Sequence, residues 1–199
     1  AFVIKEATEQ SYLRILRGLE KNKNIKFTAN INGCLMLRWE ELGYANVLEI
    51  IKKLVKRGQL ELTGTAAYHP ILPLIPKEEA KTQIRENEKI IKRLLGNVKL
   101  RGFFMPEMAY GPEAAKLIKM LGYEYLILEE ISYNGKLNQV NFNNVYQDKN
   151  SDLKIIFRSR SFSHSYVPEK IEKIIKTGGE GKEETIITAT DAELYGLRH

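Results

Sequence analysis

Apolar positions along the chain alternate between helical and strand-like spacing. Near the amino terminus, apolar side chains recur as on one face of a helix, at Tyr12, Ile15, Leu16 and Leu19. The next segment, 24–32, reads NIKFTANIN and is rich in strand-forming residues. The same alternation continues toward the other end of the chain. It predicts further helices at 45–58, 77–96, 111–123 and 167–178, and further strands at 59–64, 98–104, 124–130, 153–160 and 184–190.

This order of strands and helices predicts an α/β fold. Strands that alternate with helices are joined by right-handed crossovers, so they form a parallel sheet or a barrel. The segment 131–152 is less regular and carries the turn signals Asn134-Gly135 and Lys149-Asn150. We expect this segment to be an insertion or a hairpin within the domain.

The composition favours one domain with no strongly charged partner. A chain of 199 residues suits a single core, and its 31 Lys and Arg against 25 Asp and Glu leave a net charge of +6. The lysines are spread along the predicted helices, which indicates solvated helix faces rather than a nucleic-acid surface. No apolar run approaches the ~18 residues that cross a bilayer, so we expect no membrane anchor. Cys34 is the single cysteine, which excludes an intrachain disulfide and favours a cytoplasmic setting.

Two carboxylates follow predicted strands and are the first candidates for chemistry. Glu107 comes just after LRGFF, and Asp191 comes just after TIITAT. In a parallel barrel, reactive groups lie at the carboxyl ends of the strands. Sugar transfer needs two facing carboxylates, about 5–5.5 Å apart for retention or about 6.5–9.5 Å apart for inversion. The residues alone leave an alternative open, in which Glu107 caps the helix near Pro112 and Asp191 is an ordinary turn residue.

A further polar group follows the strand at 59–64. The segment HPILPLI after it is interrupted by Pro70 and Pro73, so it cannot be a regular helix and must form a fixed, partly buried loop. His69 begins this segment. It is either a functional side chain or a hydrogen-bonded structural histidine.

Four ordered strings carry a resemblance to a known family. They are GQLELTGTAAYHPILPLI, GFFMPEMAYGPEAAKLIKMLGYEYLILEE, IIFRSRSFS and TATDAELYG. In this order and spacing they resemble the conserved regions of glycoside hydrolase family 57, a family of α-glucan-active amylases, amylopullulanases and glucanotransferases. The resemblance implies an incomplete seven-stranded (β/α) barrel, an α-glucan or oligosaccharide substrate, and retaining cleavage or transfer without a metal or other cofactor.

The resemblance also implies roles for individual residues. Glu107 matches the nucleophile of the family, and Asp191 matches its general acid/base. Arg158 and Arg160 match a basic pair, although Ser159 and Ser161 replace acidic residues of that pattern. The residues expected to bind or orient the sugar are Glu61, His69, Glu193, Arg158, Arg160 and Tyr110. Aromatic residues near the site are either stacking platforms for sugar or parts of the core, and they are Phe103, Phe104, Tyr110, Tyr195 and Trp39.

Physical chemistry adds an expectation for each carboxyl group. A nucleophilic carboxylate must be ionised and rigidly held, so a nearby Arg charge is expected to keep the pKa of Glu107 low. The acid must start protonated, so burial or the neighbouring Glu193 is expected to raise the pKa of Asp191.

The chain departs from the family pattern at both ends, because the first and last motifs are absent. We therefore expect residues 1–199 to be a fragment of a larger catalytic domain or a degenerate relative. One alternative is a truncated barrel that binds carbohydrate without turnover. Another is a polysaccharide deacetylase-like barrel, which needs a metal held by an Asp-His-His set.

Overall fold

The computed structural model describes residues 2–164, 169, 172 and 185–197. The helix predicted at 167–178 falls outside these residues apart from positions 169 and 172. The helices are α1 (Phe2–Ala7), α2 (Leu13–Lys21), α3 (Gly33–Glu41), α4 (Ala45–Lys56), α5 (Lys77–Leu95), α6 (Pro112–Met120), α7 (Arg160–Ser163) and α8 (Leu194–Leu197), with a π-helical turn at Thr8–Tyr12 and 3-10 turns at Leu72–Leu74, Pro106–Met108 and Glu130–Ser132. None of the described helices is both long and apolar enough to cross a membrane.

The strands form a mainly parallel sheet, as the alternation of elements predicts. They are β1 (Phe27–Asn30), β2 (Leu60–Thr63), β3 (Gly102–Phe104), β4 (Tyr125–Glu129), β5 (Tyr146–Gln147) and β6 (Lys154–Arg158). Three pairs are parallel: β1 with β2, β3 with β4, and β4 with β6. A single bridge between Gly64 and Phe103 connects the β1–β2 pair to the other strands. The parallel strands therefore run in the order β1, β2, β3, β4, β6, as in part of a (β/α) barrel.

Close packing at the junction of β2 and β3 requires glycine. A Cβ atom on Gly64 would lie 2.3 Å from a ring carbon of Tyr123, and one on Gly102 would lie 2.1 Å from a ring carbon of Tyr125. Any side chain at these positions would displace a tyrosine ring that crosses the junction.

Two apolar clusters fill the interior. The first lies among α2, α3, α4 and α5 and includes Trp39 and Ile51, which are 2% and 0% exposed. The second lies between the sheet and α6 and includes Phe103 and Leu126, both fully buried. Helix α5 contributes Ile84 to the second cluster and residues of its carboxyl half to the first. This helix therefore ties the two clusters together.

One strand prediction is wrong. The described residues 185–190 are not a strand, although the sequence ETIITAT predicts one at 184–190. The short strand β5 pairs antiparallel with β6 through Tyr146 and Ile155, so it occupies the edge that a following parallel strand would use. Residues 185–190 meet β6 at its carboxyl end, where the backbone N–H of Ser159 donates to the carbonyl of Ile187 at 2.8 Å.

Candidate active site

Glu107 lies in a tight turn just after the carboxyl end of β3. Its backbone is left-handed, with φ 56° and ψ 15°, a conformation that costs a non-glycine residue about 1–3 kcal/mol. The turn is closed by the N–H of Met108, which donates to the carbonyl of Met105 at 2.7 Å, and both methionine side chains are buried. The carboxylate side chain itself is 68% exposed. Buried neighbours thus hold a strained turn that presents Glu107 to solvent.

Glu107 does not cap the helix that follows it. Helix α6 has Gly111 as its N-cap and receives no side-chain capping hydrogen bond. The helix-capping alternative for Glu107 is therefore wrong.

The loop after β2 brings His69 to the same place. His69 is also left-handed, with φ 57°, and its Nε2 lies 3.5 Å from Oε1 of Glu107. Its Nδ1 is buried and has no hydrogen-bond partner among the described residues. The two residues come from different strand ends, so their contact defines a site at the carboxyl edge of the sheet.

Asp191 lies in a turn before the short helix α8. Its side chain is exposed, and its carbonyl accepts a hydrogen bond from the N–H of Leu194 at 3.2 Å. The sequence left open whether Asp191 is a turn residue, and the structure places it in one. Within the described part of the chain, no hydrogen bond or ion pair joins Asp191 to Glu107.

The amino-terminal helices hold the segment that carries Asp191. The hydroxyl of Ser11 donates to the carbonyl of Ala192, and the hydroxyl of Tyr12 lies 3.5 Å from a carboxylate oxygen of Glu193. Burial raises the pKa of Tyr12 to about 12, helped by the charge and hydrogen bond of Glu193 and by the charge of Asp191. Ser11 and Tyr12 both lie in the π-helical turn Thr8–Tyr12. The apolar periodicity assigned Tyr12 to the core, so sequence reasoning missed this contact.

Arg158 is the last residue of β6, and its side chain is mostly buried. Its Nε donates to Oε2 of Glu129 at 2.6 Å, and its Nη1 donates to the carbonyl of Ala189 at 2.8 Å. The backbone N–H of Arg160 donates to Oε1 of Glu130 at 2.8 Å. Glu129 and Glu130 are both buried, and neither was among the residues expected from the sequence.

The aromatic residues differ in their surroundings. The hydroxyl of Tyr110 donates to Oδ1 of Asp148 at 2.7 Å, and burial followed by this hydrogen bond raises the pKa of Tyr110. Phe103 and Trp39 are buried in the two apolar clusters and have no free face for a sugar. The hydroxyl of Tyr195 lies 2.7 Å from that of Thr190.

The structure does not bring Glu61 to the other candidates. Glu61 lies within β2, where its Oε1 accepts a hydrogen bond from the hydroxyl of Tyr125, the first residue of β4. It lines a cavity of about 440 Å³ with Lys99 and Arg101, which precede β3. Glu107 follows the opposite end of β3. Among the described residues, no group of three or more His, Cys, Asp or Glu could hold a metal ion.

Comparison with known proteins agrees with this architecture. The model of glycosyl hydrolase family 57 matches residues 4–186. The chain is 26% identical to an alpha-amylase of Pyrococcus horikoshii over 202 residues, which cover 98% of the chain and 31% of that enzyme. It is 33% identical to the 4-alpha-glucanotransferase of Thermococcus litoralis over 132 residues, which cover 66% of the chain and 20% of that enzyme.

Solved structures show the same fold. The crystal structure of the Thermococcus litoralis 4-alpha-glucanotransferase superposes with a TM-score of 0.81 at 24% identity, and the match covers 98% of the chain and 31% of that protein. The chain therefore spans about a third of the length of such relatives, and the predicted α/β class, part of a (β/α) barrel, is confirmed. The family match extends over most of the described residues, and the chain belongs to glycosyl hydrolase family 57.

Proposed function

We propose that the chain carries the catalytic centre of a retaining glycoside hydrolase or transglycosylase that acts on α-glucans. Glu107 is the nucleophile and Asp191 is the general acid/base. The observation that carries the proposal is the left-handed turn at the end of β3, which presents Glu107 beside His69 with its carboxylate 68% exposed. Membership of the family supports it, as do the names of the relatives, an alpha-amylase and a 4-alpha-glucanotransferase.

The reaction has two steps. In the first, the carboxylate of Glu107 attacks the anomeric carbon while Asp191 donates a proton to the departing glycosidic oxygen, so the bond to the leaving sugar breaks. In the second, Asp191 takes a proton from water or from a sugar hydroxyl, whose oxygen attacks the same carbon and releases Glu107. Two inversions give overall retention. Attack by water makes the enzyme a hydrolase, and attack by a sugar hydroxyl makes it a transferase.

The strained turn suits Glu107 for the first step. A nucleophile must be held under the anomeric carbon, because loss of about 1 Å of alignment can cost about 100-fold in rate. Buried Met105 and Met108 fix the backbone on both sides of Glu107. His69, from the neighbouring loop, restricts the positions that the Glu107 side chain can take, because its Nε2 lies 3.5 Å from the carboxylate. We therefore assign His69 as an orienting partner of the nucleophile.

Trapping the intermediate tests the proposal directly. The chain is incubated with a fluorinated α-glucosyl substrate and analysed by mass spectrometry. We expect a covalent glycosyl adduct on the peptide that contains Glu107, and no adduct in Glu107→Gln. The matched control is Glu113→Gln, because the side chain of Glu113 is 73% exposed and lies six positions away on α6. This variant should keep the adduct and the turnover of the unchanged chain.

Two results would contradict the proposal. An adduct on another carboxylate would give the role of nucleophile to that residue. Calorimetric binding of maltooligosaccharide by a chain that forms no adduct and shows no turnover would identify a carbohydrate-binding module instead of an enzyme.

A further inference from the structure

Arg158 is committed to contacts inside the protein. Its Nε and Nη1 are used by Glu129 and by the carbonyl of Ala189, at 2.6 and 2.8 Å. Its side chain is only 21% exposed. Two of the three guanidinium nitrogens are therefore engaged by groups of the protein. The geometry therefore favours a role other than sugar binding for this arginine.

Glu129 is the partner that fixes Arg158. The two residues lie side by side in the parallel register of β4 and β6, where each ends its strand. Glu129 is 8% exposed as a whole residue, and its Oε1 is buried without a partner in the described part of the chain. Removing one member of a buried ion pair is strongly destabilising because the other charge is left unpaired. The pair is thus a rigid connection across the carboxyl ends of two adjacent strands.

The segment before Asp191 is attached to this connection. The carbonyl of Ala189 accepts a hydrogen bond from Arg158. The backbone N–H of Ala189 donates to the hydroxyl of Ser163 at 3.2 Å. Both backbone polar groups of Ala189 are therefore held, two positions before Asp191. On the other side of Asp191, Ser11 holds the carbonyl of Ala192. Asp191 is an exposed side chain on a backbone that is anchored before and after it.

We propose that Glu129 and Arg158 form a positioning pair that sets the location of the acid/base Asp191. The ion pair fixes the guanidinium, the guanidinium fixes the carbonyl of Ala189, and the short chain from there fixes Asp191. The catalytic consequence of this pair rests on the proposed function.

Hydrogen exchange tests the structural part without any need for activity. Arg158→Lys keeps the charge beside Glu129, but a single ammonium lacks the planar fork that reaches two acceptors at once. Glu129→Gln is a second variant that keeps the shape of the side chain and removes its charge. In both we expect several-fold faster amide exchange in a peptide covering 187–194 and unchanged exchange in one covering 102–110.

A matched arginine provides the control for the exchange experiment. Arg93 makes two contacts of 2.7 Å with Glu40 between exposed side chains of α5 and α3. Arg93→Lys should leave exchange in both peptides unchanged. Unchanged exchange at 187–194 in Arg158→Lys and Glu129→Gln would overturn the positioning pair.

Leaving-group dependence tests the catalytic consequence. A natural sugar leaving group needs a proton from the acid, whereas fluoride leaves with little help. If Asp191 is displaced, turnover of maltooligosaccharide falls by about 100-fold or more, the usual contribution of general acid catalysis. The rate of glycosyl-enzyme formation from α-maltosyl fluoride stays close to the rate in the unchanged chain. Azide then restores turnover of the fluoride, because it attacks the anomeric carbon and releases Glu107 without needing a base.

We expect Arg158→Lys and Asp191→Asn to behave alike. Both should lose turnover of maltooligosaccharide, keep formation of the glycosyl-enzyme from the fluoride, and regain turnover of the fluoride with azide. An equal rise in KM for both substrates, with no effect of azide, would make Arg158 a sugar ligand and overturn the inference. If the unchanged chain forms no glycosyl-enzyme, the proposed function fails, and the exchange experiment still decides whether the pair positions the segment.

Discussion

Tyr110 lies three positions after Glu107, and its hydroxyl is occupied by a buried carboxylate. Asp148 is 6% exposed and accepts hydrogen bonds from Tyr110 at 2.7 Å and from Ser151 at 2.5 Å. Burial raises the pKa of Asp148, but the hydrogen bonds from Ser151, Tyr110 and Asn150 outweigh it and lower the pKa below its ordinary value. Tyr110 therefore anchors the turn between β5 and β6 to the segment that carries the proposed nucleophile.

We expect Tyr110→Phe to lower the free energy of unfolding by about 1–3 kcal/mol at neutral pH, because a buried charge loses a hydrogen bond. Because its pKa is lowered, the ionised carboxylate of Asp148 stabilises the fold at pH values above the ordinary carboxyl pKa. This stabilisation is lost as the pH falls through the lowered pKa. The difference in unfolding free energy between Tyr110→Phe and the parent should therefore shrink on acidification. Urea denaturation at neutral and acidic pH measures it, with Tyr68→Phe as control, since Tyr68 is 59% exposed. A difference that is the same at both pH values would refute the contact.

Tyr12 gives a pH dependence of opposite sign. Its pKa is raised from 10.0 to about 12 in the folded chain. The neutral phenol therefore stabilises the fold fully below about pH 10, and this contribution is lost as pH rises toward about 12. Tyr12→Phe cannot ionise, so its unfolding free energy should fall less over this range than that of the parent. Denaturation at several alkaline pH values measures the slopes, and parallel slopes would count against the burial and charge assigned to Tyr12.

Local signals in the sequence predict the boundaries of α5 and β4 well. Helix α5 occupies Lys77–Leu95 where Pro76 and Gly96 predict it, and strand β4 occupies Tyr125–Glu129 within the predicted run. These boundaries are fixed by residues inside or next to each element. The strand predicted at 184–190 failed because β5 occupies the edge of β6, a fact that depends on a distant part of the chain.

The junction of β2 and β3 leaves no room for a side chain at Gly64. Gly64→Ala would place a methyl group 2.3 Å from the ring of Tyr123, which is held by an edge contact with Phe103 at 5.0 Å and a hydrogen bond to Glu88 at 3.0 Å. We expect a loss of stability of about 1–3 kcal/mol, the usual cost of overpacking. The control is Gly18→Ala in α2, where nothing lies within 4 Å. There alanine should raise stability by about 0.5–1 kcal/mol, since glycine is costly in a helix. Equal effects of the two changes on the urea midpoint would contradict the packing at Gly64.

Only part of the candidate site could be predicted from the sequence. Glu107 could be found because it follows a strand and a proline, both of which are local signals. The contacts of Arg158 with Glu129 and of Tyr12 with Glu193 join residues that are 29 and 181 positions apart. No spacing rule links such residues, because the contacts arise only when strands pair and the amino-terminal helices pack against the last segment.

The two apolar clusters should unfold as one unit. Trp39 is the single tryptophan, and it reports on the first cluster, whereas Leu126 is fully buried in the second. Helix α5 belongs to both clusters, so loss of packing in one removes part of the buried surface that holds this helix. Leu126→Ala should cost about 2–5 kcal/mol and should shift the midpoint of Trp39 fluorescence as far as that of far-ultraviolet circular dichroism.

The control for this experiment is Met120→Ala, because Met120 is 66% exposed and surface changes usually stay within about 0.5 kcal/mol. A fluorescence midpoint that does not move in Leu126→Ala would mean that the first cluster folds independently of the sheet that carries Glu107. The strained turn at Glu107 would then depend on the second cluster alone. Coincident shifts would mean instead that both clusters contribute to holding Glu107, the proposed nucleophile, in its left-handed conformation.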